Sequence, residues 1–339
     1  MKFSLAVAVQ RYRDKVRYLD VAALVRECRA AEELGFYAVY SGERRASGVT
    51  SYSHNPLIVS SWILSVTTSL RVGAGLVVLP LHHPVTVIQD ASVLAELSGG
   101  RFILGLGAGY TGADFEALGV SMNERGRRME AGLKAIAAYR QGVIQECDSP
   151  YAGTVPKRDE ALGEVELRVL AGGWSLPGVR RAARHTDGWI SGPLDTYHAL
   201  AEMATAYRDE CRRLNRSPYV AVLREAWLAD TDDEAISVYG PYVLSYHMTY
   251  LKRGKVYDPR FDPWVNRIRS ADELTLDDVL PNRVLIGSRD TWMRELHRLC
   301  ELVEPDEIVL RLRHVDGPSP GMTLEVMEAI ASSIMPSFA

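Results

Sequence analysis

Residues 71–110, RVGAGLVVLPLHHPVTVIQDASVLAELSGGRFILGLGAGY, decide the fold. Arg71–Leu79 is apolar and rich in valine, the composition of a buried strand. Val85–Leu97 places its apolar residues at helical spacing and ends at Gly99 and Gly100, residues suited to the turn beyond a helix end. Arg101–Leu106 is again an apolar run of strand length. Strand, crossover helix and strand in about 35 residues form the unit of a parallel sheet.

The same alternation extends in both directions. Upstream, Phe3–Val9 reads as a strand, Val21–Leu34 as a helix stopping at Gly35, Phe36–Tyr40 as a strand and Pro56–Thr67 as a helix. Downstream come helices at Ala113–Leu118 and Asn123–Gln141 and a Pro- and Gly-bearing connector at 148–163. A strand at Glu166–Ala171, a helix at Pro177–His185, a strand at Gly188–Ser191, a helix at Tyr197–Leu214 and a strand at Tyr219–Leu228 complete this run. Residues 232–280 break the rhythm with aromatic-rich helical stretches and the proline-punctuated YDPRFDPW. Helix Arg289–Val303 and strand Glu307–Leu312 restore it. Eight strands, each followed by helix, predict an α/β fold, a (β/α)8 TIM barrel with a helical insertion at 232–280, as one domain over residues 1–339. A doubly wound sheet usually closes with fewer strands. In such a barrel, chemistry sits on the loops that leave the C-terminal ends of the strands.

Composition narrows the function class. The chain has 339 residues, 47% hydrophobic and 24% charged, with a formal charge of -4. That balance argues against disorder and provides no basic field for nucleic acid. No window is long and apolar enough for a membrane span, and MKFSLAVAVQRYR lacks a signal peptide's long apolar region, so a cytoplasmic protein is expected. Four cysteines, Cys28, Cys147, Cys211 and Cys300, stand far apart with no CxxC pair, so they read as reduced thiols, and no metal constellation emerges.

Two glycine-rich strand ends stand out. Gly107, Gly109 and Gly112 satisfy G-x-G-x-x-G, with Glu130 near the distance of a ribose-binding acid. A dinucleotide fold, however, needs its next parallel strand within about 30 residues, and the next one begins at Glu166. The remaining readings are close helix packing and close approach of a flat cofactor. The second cluster, Ala171-Gly172-Gly173-Trp174-Ser175, precedes the helix at Pro177. Ser175 is either a helix cap or part of a phosphate cradle built with backbone N–H groups.

These residues carry a family resemblance. LRVGAGLVVLPLHHPVTVIQDASVLAELSGGRFILGLGAGY, DFEALGVSMNERGRRMEAGL, VLAGGWSLPGVRRAARHTDGWI, REAWLADTDDEA and LIGSRDTW, in this order, resemble the luciferase-like monooxygenase family over nearly the whole chain. The resemblance implies a TIM barrel that uses reduced FMN with dioxygen, or a deazaflavin coenzyme for hydride transfer. It also implies a bulge with a non-prolyl cis peptide at Gly75 and Leu76 beneath the isoalloxazine. Gly107, Ala108, Gly109 and Tyr110 would lie beside the flavin, while Gly172, Gly173, Trp174, Ser175 and Gly178 would hold its phosphate. Bacterial luciferase carries arginine at the position of Ala108.

After the second strand, relatives commonly read acidic-His where this chain reads Ser41-Gly42-Glu43-Arg44-Arg45. Arginine stays charged, so Arg44 can stabilise an anion or clamp a substrate but cannot act as a base. The alternatives are a surface cation for Arg44 and a structural partner of a neighbouring arginine for Glu43. His54 is a loop histidine available as a substitute base, and His82 and His83 read as cap-region residues of the next helix. Arg224 and Glu225 are adjacent in a strand with opposite orientations expected, so one faces the mouth and the other the helix layer, a structural ion pair being the alternative. Tyr239, Tyr242, Tyr246 and Tyr250, with His247, give the insertion an aromatic face suited to packing or to lining a pocket.

The resulting expectation is an FMN-dependent monooxygenase acting on a small organic substrate, fed by a separate flavin reductase and working as a homodimer. Glu43, Arg44, His54, Tyr110 and Arg224 are its catalytic candidates. A deazaflavin-dependent reductase or dehydrogenase and a non-catalytic flavin-binding protein are the alternatives.

Overall fold

The computed structural model describes residues 1–13, 16–44, 53–147, 150–158 and 165–338, with the side chains of 10–13 and 16–19 excepted. Arg45, and 148–149 and 159–163 of the connector, lie outside the described residues. A nine-stranded sheet forms the centre. Its strands are β1 (Lys2–Ala6), β2 (Ala38–Ser41), β3 (Arg71–Val78), β4 (Phe102–Gly107), β5 (Arg168–Gly172), β6 (Gly188–Ile190), β7 (Val220–Leu228), β8 (Leu285–Gly287) and β9 (Glu307–Arg311). The order is β6-β5-β4-β3-β2-β1-β9-β7-β8, and β6 also pairs with β7, so eight strands close into a ring and β8 lies beside the last three residues of β7. This is the (β/α)8 barrel expected.

By packing, the chain divides into two compact units, the first Met1–Phe36, Ser191–Thr205 and Val220–Ala339, the second Tyr37–Ile190 and Ala206–Tyr219. In the second unit, every residue of β2 and β4 is buried, which suits parallel strands covered on both faces. Helix α2 (Pro56–Val66) starts where Asn55 accepts hydrogen bonds from the Leu57 and Ile58 N–H groups, with proline at its first position. Helix α3 (Pro84–Leu97) likewise starts at a proline and ends before Gly99 and Gly100, both at positive φ. Helices α4 (Gly112–Glu116), α5 (Arg125–Arg140) and α6 (Leu176–His185) complete this unit's cover.

The first unit carries α1 (Val21–Glu33), capped by Asp20, and the insertion. That insertion is helical as expected, with α8 (Asp232–Lys252) as its main body and a short α9 (Leu276–Val279). Helices α10 (Arg289–Val303) and α11 (Pro320–Ser333) follow. Between α6 and α8 in sequence, α7 (Tyr197–Arg213) is divided between the two units' chain segments.

Several elements were not anticipated. The run read as a strand over Phe3–Val9 ends at Ala6, and the chain then forms the hairpin Gln10–Arg13/Val16–Leu19. A second hairpin, Gln145–Glu146/Thr154–Val155, lies before and within the connector. Strand β8 has three residues, too few to show a period, and is defined by its pairing with Ala226–Leu228.

Candidate active site

The second unit gathers most of the candidate residues at the C-terminal ends of β2 to β5. Its centre is a bulge. In β3 against β4, Ala74 pairs with Leu104 and Val77 with Leu106, so three steps on one strand match two on the other. The Gly75–Leu76 peptide inside this bulge is cis, as the family resemblance implied. The Leu76 side chain then lies over glycines: a Cβ on Gly172 would come within 2.4 Å of its Cδ1, one on Gly105 within 2.7 Å of its Cδ2, and one on Gly107 within 3.0 Å of Cδ1. Gly107 and Gly172 are therefore small because Leu76 fills the space above them. They support the platform from below.

Glu43 fastens this bulge. Its N–H donates to the Leu76 carbonyl at 3.2 Å, and its Oε2 accepts from the Val78 N–H at 2.7 Å. The same carboxylate accepts from His82 Nε2 at 2.9 and 3.0 Å, with the Glu43 side chain wholly buried. Glu43 is thus a structural partner of His82 and of the bulge's backbone. His82 is drawn into the site by this pair, whereas His83 turns to the Ala152 carbonyl.

Arg44 is buried, which rules out the surface-cation reading. Its guanidinium donates to Asp114 Oδ2 at 3.0 Å, to Thr111 Oγ1 and to the Tyr110 hydroxyl, and its Cζ lies 4.8 Å from the Tyr110 ring centroid. Asp114, unnoticed in the sequence, is therefore the counter-charge that fixes the cation replacing the family's histidine. The Tyr110 ring packs on Trp174 at 5.0 Å. His54 is exposed and donates Nδ1–H to the Arg44 carbonyl at 2.9 Å, which leaves Nε2 as its proton acceptor.

The β5 end closes on the start of α6. Gly173 and Gly178 touch there, since a Cβ on either would meet the other's backbone at 3.0 to 3.3 Å. The Trp189 indole donates to the Gly173 carbonyl at 3.1 Å and holds the loop. Ser175 caps α6, accepting from the Gly178 N–H at 3.4 Å, so the capping reading holds. Its exposed position and the absence of any acid in the first turn of α6 leave this helix start suited to an anion as well. Gly109 sits at φ +74°, where a side chain would be strained and would strike Val78 and Phe115. Ala108 beside it is half-buried.

Arg224 requires correction. It lies in the first unit, fully buried, and donates to the carbonyls of Asp195, Gly192 and Arg283 and to Ser191 Oγ. Burial lowers its pKa to about 10, so it remains a cation. It cross-links backbone segments and presents no group to a substrate. Its neighbour Glu225 faces the other way, as alternation requires, and accepts from Arg311, Tyr239 and His314. Nothing in the sequence pattern pointed to His314. The insertion's tyrosines are mostly packing: Tyr239, Tyr246 and Tyr250 are buried and Tyr242 is half-buried.

The family model for luciferase-like monooxygenases matches residues 1–303. The alkanal monooxygenase alpha chain of Photorhabdus luminescens is 34% identical over 128 residues, 38% of this chain and 35% of that one, so the match spans about a third of that relative's length. Among solved structures, the oxygenating constituent of 3,6-diketocamphane monooxygenase from Pseudomonas putida, in complex with FMN, aligns at a TM-score of 0.76 and 18% identity over 99% of this chain and 98% of that one. An F420-dependent secondary alcohol dehydrogenase aligns at 0.76 and 14% identity over 98% of both. At such identities these two likenesses establish the fold alone. Taken with the match over residues 1–303, they leave a single assignment: the chain belongs to the luciferase-like monooxygenase family.

Proposed function

We propose that the protein is a flavin-dependent monooxygenase that takes reduced FMN from a separate reductase and, with dioxygen, oxidises a small organic substrate. The observation that carries this reading is the bulge at Gly75–Leu76, with Leu76 seated over Gly105, Gly107 and Gly172 beside the Tyr110–Trp174 pair. Such a surface suits the flat ring of a flavin, and the Ser175-capped start of α6 suits its phosphate. When bound, reduced flavin supplies the electrons for oxygen chemistry.

The chain's own residues do the rest. Leu76 offers an apolar floor that Glu43 holds in place. Arg44, neutralised by Asp114, donates to the Tyr110 oxygen, which makes that phenol a stronger hydrogen-bond donor in turn. Arg44 stabilises negative charge and does not accept a proton. His54 Nε2 is the proton acceptor of this group.

We further propose that residues 1–339 act as one domain in the cytoplasm and that the protein is a homodimer. Supporting the last point, Ile58 on α2 and Val93 and Leu97 on α3 are exposed apolar side chains on adjoining helices of one unit. Anaerobic fluorescence titration with reduced FMN, and separately with the reduced deazaflavin coenzyme, tests the cofactor. Reduced FMN should bind the wild type and bind Ser175→Glu at least roughly tenfold more weakly, because the carboxylate repels a phosphate at the helix start. Preference for the deazaflavin would replace oxygen chemistry with hydride transfer, and binding of neither would overturn the proposal.

A further inference from the structure

A carboxylate–histidine pair that the flavin reading does not use stands in the first unit, at the C-terminal ends of two barrel strands. Glu225, on β7, is fully buried and both its oxygens are engaged. Oε1 accepts from Arg311, the last residue of β9, at 2.9 Å, while Oε2 accepts from the Tyr239 hydroxyl at 3.0 Å and from His314 Nε2 at 2.9 Å. His314 follows β9 by three residues. Its ring is stacked on Tyr242, with centroids 6.0 Å apart and planes 14° apart, and meets the edge of Tyr246 at 5.4 Å. Its backbone is pinned in both directions, its N–H donating to the Gly317 carbonyl and its own carbonyl accepting from the Gly317 N–H. Gly317 lacks the Cβ that would lie 2.7 Å from the Tyr242 hydroxyl, so the loop and the stacked ring fit only with glycine there.

The consequence is a histidine whose tautomer and orientation are set. With Nε2–H directed at the carboxylate, Nδ1 is the ring's acceptor. Nδ1 makes no hydrogen bond to the described residues, and the side chain retains 13% of its surface. A histidine serving structure alone has no need of an unused, accessible acceptor on the ring side opposite a buried carboxylate. Carboxylate, oriented imidazole and exposed acceptor nitrogen are the parts of an acid–base group.

We propose that His314 is an acid–base residue of this barrel and that Glu225 is its positioning residue. A substrate O–H or N–H gives its proton to Nδ1, the bonding pair stays on the substrate atom, and the Glu225 carboxylate stabilises the imidazolium. The proton then passes to product or solvent and the neutral ring is restored. The proposal names the chemical class this group acts on, a molecule with an ionisable O–H or N–H, and rests on the oxidoreductase reading only for the reaction the proton serves.

Diethyl pyrocarbonate, which acylates the unprotonated imidazole nitrogen, tests it on the full chain near neutral pH with the modified peptides quantified by mass spectrometry. The exposed His54, His83, His198 and His297 serve as internal references. His314 should react at a rate equal to or above theirs despite its lower exposure. Glu225→Gln, which removes the charge that favours the imidazolium and alters the ring's nucleophilicity, should change its rate by about tenfold with the references unchanged, and Glu225→Asp, which keeps the charge, should return it most of the way to the wild-type rate. The Asp variant also covers the case in which Gln takes a charged partner from the buried Arg311 and the chain fails to fold. A rate roughly tenfold below the references in the wild type, or one indifferent to Glu225, would overturn the proposal. His314→Gln, which retains an N–H toward Glu225, should bind reduced FMN like the wild type; an equal loss of binding would instead mark a cofactor or folding role. Failure of both proteins to bind FMN would count against the flavin reading and leave the histidine result standing.

Discussion

At the scale of single residues, the site is governed by buried charges and their partners. Arg44 and Asp114 are each about 4% exposed at their side chains, so removing the carboxylate takes a charged partner from a buried cation. Asp114→Ala should lose roughly 3 kcal/mol in urea unfolding, and Asp114→Asn less, since the amide still accepts a hydrogen bond. Glu225 gives a pH signature. Burial pushes its carboxyl up, but the charges of His314 and Arg311 and the hydrogen bonds from His314 and Tyr239 outweigh this and hold it at about 2. A depressed carboxyl contributes stability that is complete above its unfolded value, about 4.3, and is lost as pH falls through 4 toward 2. Wild type should therefore lose about 3 kcal/mol across that window beyond what Glu225→Gln loses, measured by urea unfolding at each pH. Residue by residue, the sequence was partly legible. The arginine replacing histidine at 44 was visible, but its partner Asp114 lies 70 positions away and only folding reveals it. Arg224 and Glu225 face apart as alternation requires, yet alternation does not say what each of them meets, and the carbonyls that hold Arg224 come from residues up to 59 positions away.

At the scale of elements, the bulged β3 is the part that positions everything else. Its glycine setting gives two contrasting expectations. A Cβ on Gly105 would sit 2.2 Å from the Ala74 carbonyl oxygen, a backbone atom that cannot step aside, so Gly105→Ala should destabilise the chain by about 1–3 kcal/mol in thermal or urea unfolding. A Cβ on Gly172 would clash only with the end of the Leu76 side chain, the Ile190 and Leu106 carbonyl oxygens lying at ordinary contact distances of 3.7 and 3.8 Å. Gly172→Ala should leave stability within about 1 kcal/mol of wild type yet displace the platform, weakening reduced FMN several-fold in anaerobic titration. The long strands and helices were readable because burial on both faces makes β4 a continuous apolar run and because Pro84, Gly99 and Gly100 mark the limits of α3. The hairpins and β8 were not, since two to four residues carry no period and exist only through their pairing. The function of Gly107 and Gly172 was half-read: their smallness was seen, but it serves Leu76.

At the scale of the whole molecule, the strand count reached the barrel because crossover helices impose their spacing on the sequence, and spacing also excluded the dinucleotide reading of Gly107-x-Gly109-x-x-Gly112. Oligomeric state follows from surface, which periodicity does not report. The homodimer proposed from Ile58, Val93 and Leu97 predicts sedimentation at twice the chain mass, falling to the single chain in the double variant Ile58→Glu, Leu97→Glu with the melting temperature of the dissociated chain still cooperative. The central claim is that the platform of Leu76 and the start of α6 hold a reduced flavin. Its most direct measurement is the anaerobic dissociation constant of reduced FMN for the wild type, Gly172→Ala and Ser175→Glu side by side. Binding by the wild type that weakens in both variants, which alter opposite ends of the same ligand, is the expected result. Equal affinity in all three would place the flavin elsewhere, and no binding by the wild type would contradict the account.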